Sequence, residues 1–186
     1  MKTHAKGLTL VDLIASLAIL SILYELAAPA FFRLIERNKA ATGINWIISA
    51  INITRISAVD YGSLTTLCPT QDDRRCSGVW HGRVMIFTDP NNDQTLNEGE
   101  HIITTLDFPH EGSTLKWRAF RNKQYLQMTS QGFTNFQNGN FVYCSREQNP
   151  LFSRQVVLNT QGRVKKSVDR NNDGLIEDRY GKHLRC

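Results

Sequence analysis

Hydrophobic positions crowd into one stretch near the start of the chain. Leu8 to Ile35 reads LTLVDLIASLAILSILYELAAPAFFRLI, and nothing after it is comparably apolar. The 25 residues from Leu8 to Phe32 make, at about 1.5 Å per residue, a helix of roughly 37 Å, enough to cross a hydrocarbon core of about 30 Å. A secretory signal peptide has an apolar core of only about 7–15 residues ending at a small-residue site, so this run is too long for one. Lys2 and Lys6 precede it, which favours keeping that end on the cytoplasmic side. Beyond Pro29 the pattern becomes amphipathic: Ala40, Ile44, Ile47, Ile51 and Ala58 recur at three- and four-residue steps, with Arg37, Asn45, Asn52 and Arg55 between them. This stripe predicts that the helix continues and packs on a globular head. Tyr61-Gly62-Ser63 is its predicted stop, Gly62 supplying the left-handed position.

From Leu64 onward the period changes to short β-prone runs separated by Gly, Asn, Asp and Pro. The predicted strands are Trp80 to Thr88, His101 to Leu106, Thr114 to Phe120, Tyr125 to Ser130, Asn140 to Tyr143, Gln155 to Asn159 and Arg163 to Val168. A long helix packed on a mainly antiparallel sheet is an α+β fold.

A chain of 186 residues has room for one ordinary domain, and 12 Gly with 5 Pro exclude a collagen-like or low-complexity chain. Lys and Arg outnumber Asp and Glu by 22 to 17, a mild excess that is unevenly placed: Arg154 to Cys186 carries eight Lys or Arg against four Asp or Glu. Charge within the apolar run needs a reason. Asp12 is one case, since a carboxylate deep in lipid costs about 2.5–3.5 kcal/mol on insertion scales unless it is paired. If the chain were cut after Gly7, the new amine on Leu8, in this copy or a neighbour, would be its partner. Glu25 is the other; it reads as a side chain reaching for the interface, or as a contact with a partner helix.

These residues resemble the type IV prepilins, whose short basic leader ends in Gly before a long hydrophobic helix. Lys6-Gly7 is followed by Leu8-Thr9-Leu10-Val11-Asp12, and Pro29 would be the twenty-second mature residue. Leu8 stands where the pattern has Phe, and Asp12 where it has Glu. The resemblance implies a leader, residues 1–7, removed by prepilin peptidase between Gly7 and Leu8, with methylation of the new terminus. It implies a membrane-spanning and polymerising helix over 8–35 and a periplasmic head over 36–186. The subunit would sit in the inner membrane and then pack with other pilins in a fibre at the cell surface. Trp80 to Asp89, followed by Asn91, Asp93 and Glu98-Gly99-Glu100, resembles the segment that marks the GspH/FimT family of minor pilins and pseudopilins, as does Gly162-Arg163-Val164-Lys165. The expected role is that of a minor pilin in assembly or initiation at or near the pilus tip, the alternative being a minor pseudopilin of type II secretion.

Four cysteines in a chain placed beyond the inner membrane suggest two disulfides, with three possible pairings. Cys68 with Cys76 and Cys144 with Cys186 is the favoured one; the second would close a loop of about 43 residues and stabilise the fold by roughly 4 kcal/mol on the chain-entropy model. Zinc is the rival use, but the Cys-x-x-Cys spacing of structural sites is missing.

Asp89, Asn91, Asp93, Thr95, Asn97 and Glu100 occupy positions 1, 3, 5, 7, 9 and 12 of an EF-hand calcium loop. Position 6 is Gln94 instead of Gly, which argues for a polar hairpin turn, with calcium as the alternative; no other cofactor is expected. Asp169 to Gly174 is a second such run, with the Gly present but Tyr180 at the twelfth position, and it reads first as a solvated turn.

Some FimT-type minor pilins bind DNA through a C-terminal Gly-Arg-x-Arg motif, and here Lys165 takes the second arginine's place. The resemblance implies a phosphate-tracking patch built from Arg163, Lys165, Lys166, Arg170, Arg179, Lys182 and Arg185, the alternative being a solvated positive face. On a strand, Arg163 and Lys165 point to one face and Lys166 to the other. No aromatic ladder for stacking single strands is evident. Catalysis has no support: His4, His81, His101, His110 and His183 pair by spacing with no nucleophile or metal, and no nucleophile elbow or phosphate loop occurs.

Overall fold

The structure, a computed structural model, describes residues 9–186. Helix α1 runs Leu10–Asp60 with Pro29 inside it. Thr9 caps its start: the Thr9 hydroxyl accepts from the Asp12 N–H at 3.2 Å while an Asp12 carboxylate oxygen accepts from the Thr9 N–H at 3.0 Å, the reciprocal pairing of a capping box. At the other end the Ser63 N–H bonds the Ala58 carbonyl and the Gly62 N–H bonds the Val59 carbonyl, with Gly62 at φ 60°. This is a Schellman stop, which needs the left-handed residue that Gly62 provides.

The chain divides into two compact units, Met1–Arg37 and Asn38–Cys186. In the first, the helix from Leu10 to Leu34 is exposed nearly throughout, its apolar side chains included. In the second, the rest of α1 packs on eight strands: β1 (Thr65–Pro69), β2 (Arg83–Thr88), β3 (Ile102–Asp107), β4 (Thr114–Ala119), β5 (Leu126–Met128), β6 (Gly139–Cys144), β7 (Arg154–Leu158) and β8 (Val164–Lys166). They form two four-stranded sheets, in the orders β3-β2-β1-β5 and β4-β6-β7-β8, with every pairing antiparallel.

The sequence predicted one sheet and no strand at Thr65–Pro69. Both differences have a physical cause. β1 is central and buried along its whole length, Leu67 facing the helix side and Cys68 a smaller cluster with Met85 and Phe87, so it carries no alternation to read. Its polar residues are satisfied internally: the Thr66 hydroxyl donates to Asp89 at 2.6 Å. The division into two sheets follows from long-range pairing, which local pattern does not encode.

One core joins the layers. Ala40, Ile44, Ile47, Ala50, Ile51 and Ala58 on the helix meet Leu67, Val84, Ile86 and Leu126 of the first sheet and Leu115, Trp117, Phe141, Tyr143, Val156 and Leu158 of the second. Trp117 stacks on Phe141 with ring centroids 4.3 Å apart. Gly139 is required there, since a Cβ would stand 2.4 Å from the Arg118 carbonyl oxygen and 2.7 Å from the Trp117 ring. Disulfides join Cys68 to Cys76 and Cys144 to Cys186.

Candidate functional site

Strand parity sorts the second sheet into two faces. Leu115 and Trp117 of β4, Phe141 and Tyr143 of β6, and Val156 and Leu158 of β7 face the helix. The alternate residues, Lys116 and Arg118, Asn140 and Val142, Gln155 and Val157, therefore face outward. On β8, Lys165 lies beside Val157 and joins this outer face, and Arg163 precedes it by two residues. Lys166 lies beside Val156 and turns the other way, its ammonium donating to the Asn45 side chain on α1 at 2.8 Å. Lys166 therefore leaves the basic patch expected from sequence, because its place in the strand aims it at the helix.

Above the outer face lies a strap, residues 176–186. It folds back on itself through the Leu184 N–H to Ile176 carbonyl bond and the Asp178 N–H to Lys182 carbonyl bond. Three things hold it to the sheet: the Cys144–Cys186 disulfide, the buried Leu184, and the Lys116 ammonium donating to the Cys186 main-chain oxygen. Between strap and sheet runs a groove of about 670 Å³, lined among others by Arg118, Asn140, Val142, Arg179, Lys182 and Arg185. Its acid is Asp178, whose carboxyl is held below the usual carboxylate range by the Lys182 and Tyr180 N–H groups. It stays charged and shapes the turn that presents Arg179 and Lys182.

Of the expected basic residues, then, Arg179, Lys182 and Arg185 line the groove, and Lys165 on β8, with Arg163 just before that strand, continues its face. Arg170 stands apart in the loop after β8, its N–H donating to Glu177 at 2.8 Å. Sequence reasoning missed Arg118 and Lys116, although alternation with Leu115 and Trp117 marks both as outward. It also missed two aromatic rings on the groove walls, Phe120 and Tyr180, 57% and 69% exposed. The Arg179 guanidinium lies 4.6 Å from the Tyr180 ring centroid.

The two Asp-Asn loops share one backbone. Asn92 and Gln94 in the first, and Asn172 and Gly174 in the second, have positive φ. Asp89 accepts from the N–H groups of Asp93 and Gln94, and Asp169 from those of Asn172 and Gly174. The sharp turn thus forms at Gln94 (φ 59°) without a glycine. Asp89 is fully buried and also accepts from the Thr66 hydroxyl and the Gln127 amide. The Asn97 amide and the Thr95 N–H hold the Asp93 carboxyl below its usual range, and Glu100 accepts from the Asn97 N–H. Asn91 donates to Asp93. The side-chain oxygens of this loop therefore serve as hydrogen-bond acceptors for the turn itself. Among the described residues, no three His, Cys, Asp or Glu side chains gather as a metal-ligand group.

Gly7 and Leu8 lie outside the described residues. Asp12 closes the cap on Thr9, and Glu25 is exposed on the helix. Helix α1 contains an 18-residue window of mean hydropathy 2.0, long and apolar enough to cross a membrane.

An apolar N-terminal helix segment together with a two-sheet, disulfide-bonded head is the element set of a pilin-like subunit. The chain belongs to the GspH family: the sequence profile described as "Type II transport protein GspH" matches residues 44–162. Members of this family are structural subunits rather than enzymes. Among solved structures, the chain is similar to the type IV minor pilin FimU of Pseudomonas aeruginosa, at 17% identity and a TM-score of 0.54 over 72% of this chain and 91% of that one. A second crystal form of FimU gives 14% identity and a TM-score of 0.50, over 69% and 92%. The minor pseudopilin EpsH from the type 2 secretion system of Vibrio cholerae gives 13% and 0.47, over 69% and 95%. No curated protein matches the sequence.

Proposed function

We propose that this chain is a minor pilin of a type IV pilus, cut after Gly7, held in the inner membrane by residues 8–35 and then packed among the helices of other pilins to help start or complete the fibre at its tip. The observation that carries this is the exposed apolar surface of α1 from Leu10 to Leu34, which needs lipid or other apolar helices around it. The fold shared with the minor pilin FimU is in keeping with this reading, and the alternative is a minor pseudopilin of type II secretion. Intact-mass analysis of the protein from membranes and from sheared fibres tests it: the expected species begins at a methylated Leu8 and occurs in both fractions. A full-length chain confined to the membrane would overturn the proposal. Deleting the protein and scoring piliation and secretion separates the two machines, since loss of secretion with normal pili identifies a pseudopilin.

A second reading is that the subunit binds DNA, and the outer face with Lys116, Arg118, Arg163, Lys165, Arg179, Lys182 and Arg185 favours it. Phosphate contacts of this kind release counterions, so log affinity falls with log salt by about 0.9 per neutralised phosphate on a duplex. Arg163→Ala and Lys165→Ala are each expected to make that slope shallower by up to about one unit. Slopes identical to wild type in both variants would remove β8 from the interface.

A further inference from the structure

We propose that the groove under the 176–186 strap binds an unpaired nucleic-acid strand, its bases stacking on Tyr180 and Phe120 and its phosphates meeting Arg118, Arg179, Lys182 and Arg185. This deepens the DNA reading above and rests on it.

Three observations point to unpaired bases. The first is the two exposed rings, which line the same groove although they lie far apart in sequence. Arg179 stands over Tyr180, and Arg121 lies 5.5 Å from the Phe120 ring centroid. Exposed aromatic rings set among cations suit the flat π faces and backbone of a single strand. A duplex keeps its base faces inside the stack and offers such rings nothing.

The second is the groove's polar chemistry. Asn138, Asn140 and Gln155 line it beside the cations, and the Asn140 side-chain oxygen is buried without a hydrogen-bond partner. A buried unpaired acceptor favours a ligand that brings a donor. Phosphate oxygens cannot supply one; the exocyclic amines of bases can.

The third is the apolar floor, Val142 and Val157, which accepts the body of a base but gains nothing from a phosphate backbone alone. An acidic peptide would satisfy the cations and, through a backbone N–H, Asn140, but it carries no obligatory π face for both rings.

The test uses the whole chain in neutral detergent micelles and fluorescence anisotropy at fixed salt. The probes are a labelled 12-nucleotide strand and a blunt hairpin duplex of the same sequence, with polyglutamate as competitor. We expect the unpaired strand to bind about tenfold or more tightly than the duplex. Tyr180→Ala should weaken strand binding about tenfold, in line with the loss of one stacking contact, and leave duplex binding within about twofold. Tyr180→Phe should restore strand binding, and near-ultraviolet circular dichroism checks that each variant is folded. Equal binding of strand and duplex, with Tyr180→Ala silent, overturns this inference and leaves the DNA reading standing. Displacement by polyglutamate with no response to Tyr180→Ala overturns it in favour of an acidic-peptide groove. Binding of neither oligonucleotide overturns both readings.

Discussion

Gln94 sits at φ 59° in the first Asp-Asn loop, where its counterpart in the second loop is Gly174 at φ 87°. A side chain in the left-handed region costs about 1–2 kcal/mol relative to glycine's freedom there. We therefore expect Gln94→Gly to stabilise the protein by about 0.5–1 kcal/mol, visible as a higher urea midpoint; an unchanged or lower midpoint would show that the Gln94 amide, which donates to Asn92, outweighs the strain. Two loop aspartates and one at the end of β3 contribute to the loss of stability in acid. Hydrogen bonds from Asn97 to Asp93, from the Leu175 N–H to Asp173, and from Arg83 to Asp107 hold all three carboxyls below their ordinary value. Their folded pKa lies below the unfolded one of about 3.9, so near that pH the unfolded chain binds more protons. The stability they give is complete above roughly pH 5 and is lost as pH falls through the folded values. Urea midpoints that hold steady from neutral pH to 5 and drop below about 4 are the expected result.

Among the elements, α1 was the most legible. Its stripe from Ala40 to Ala58 and its stop at Gly62 follow from a 3.6-residue period and one residue type, and both are in the structure. Ile47 lies at the centre of that stripe with no exposed surface. Ile47→Ala should cost about 2–5 kcal/mol, while Ser49→Ala, exposed on the opposite side, should cost less than about 0.5 kcal/mol; chemical denaturation of the two variants compares them. Most strands were legible to within a few residues, because runs rich in β-branched and aromatic residues are bounded by turn residues, β2 among them although it too is buried along nearly its whole length. β1 was not, since burial of both faces erases the alternation and Thr-Thr-Leu-Cys-Pro has no single character. The groove was still less so. Its rings and cations come from β4, the turn after it and the strap, and its amides and apolar floor from β6, β7 and the turn before β6; the register of the second sheet and the three anchors of the strap bring them together. No local aromatic ladder marks the groove, because Phe120 and Tyr180 lie far apart in sequence and come to line it only through the fold.

For the molecule as a whole, the two disulfides differ in the length of chain they close, with sequence separations of 8 and 42. Chain entropy gives about 2.5 kcal/mol for the shorter loop and about 4 kcal/mol for the longer one. The double variant Cys144→Ser/Cys186→Ser should accordingly lose more stability than Cys68→Ser/Cys76→Ser, in urea titrations of both; the reverse order would place the greater restraint at the first loop. The longer bridge also has an effect in time. The strap contributes Arg179, Tyr180, Lys182 and Arg185 from beyond the last strand, and no sheet ladder holds it in place. With its thiols reduced, the strap would be tied to the sheet only by the buried Leu184 and the Lys116 contact to Cys186. If the groove holds a strand as proposed, closing the Cys144–Cys186 bridge is the step that completes it.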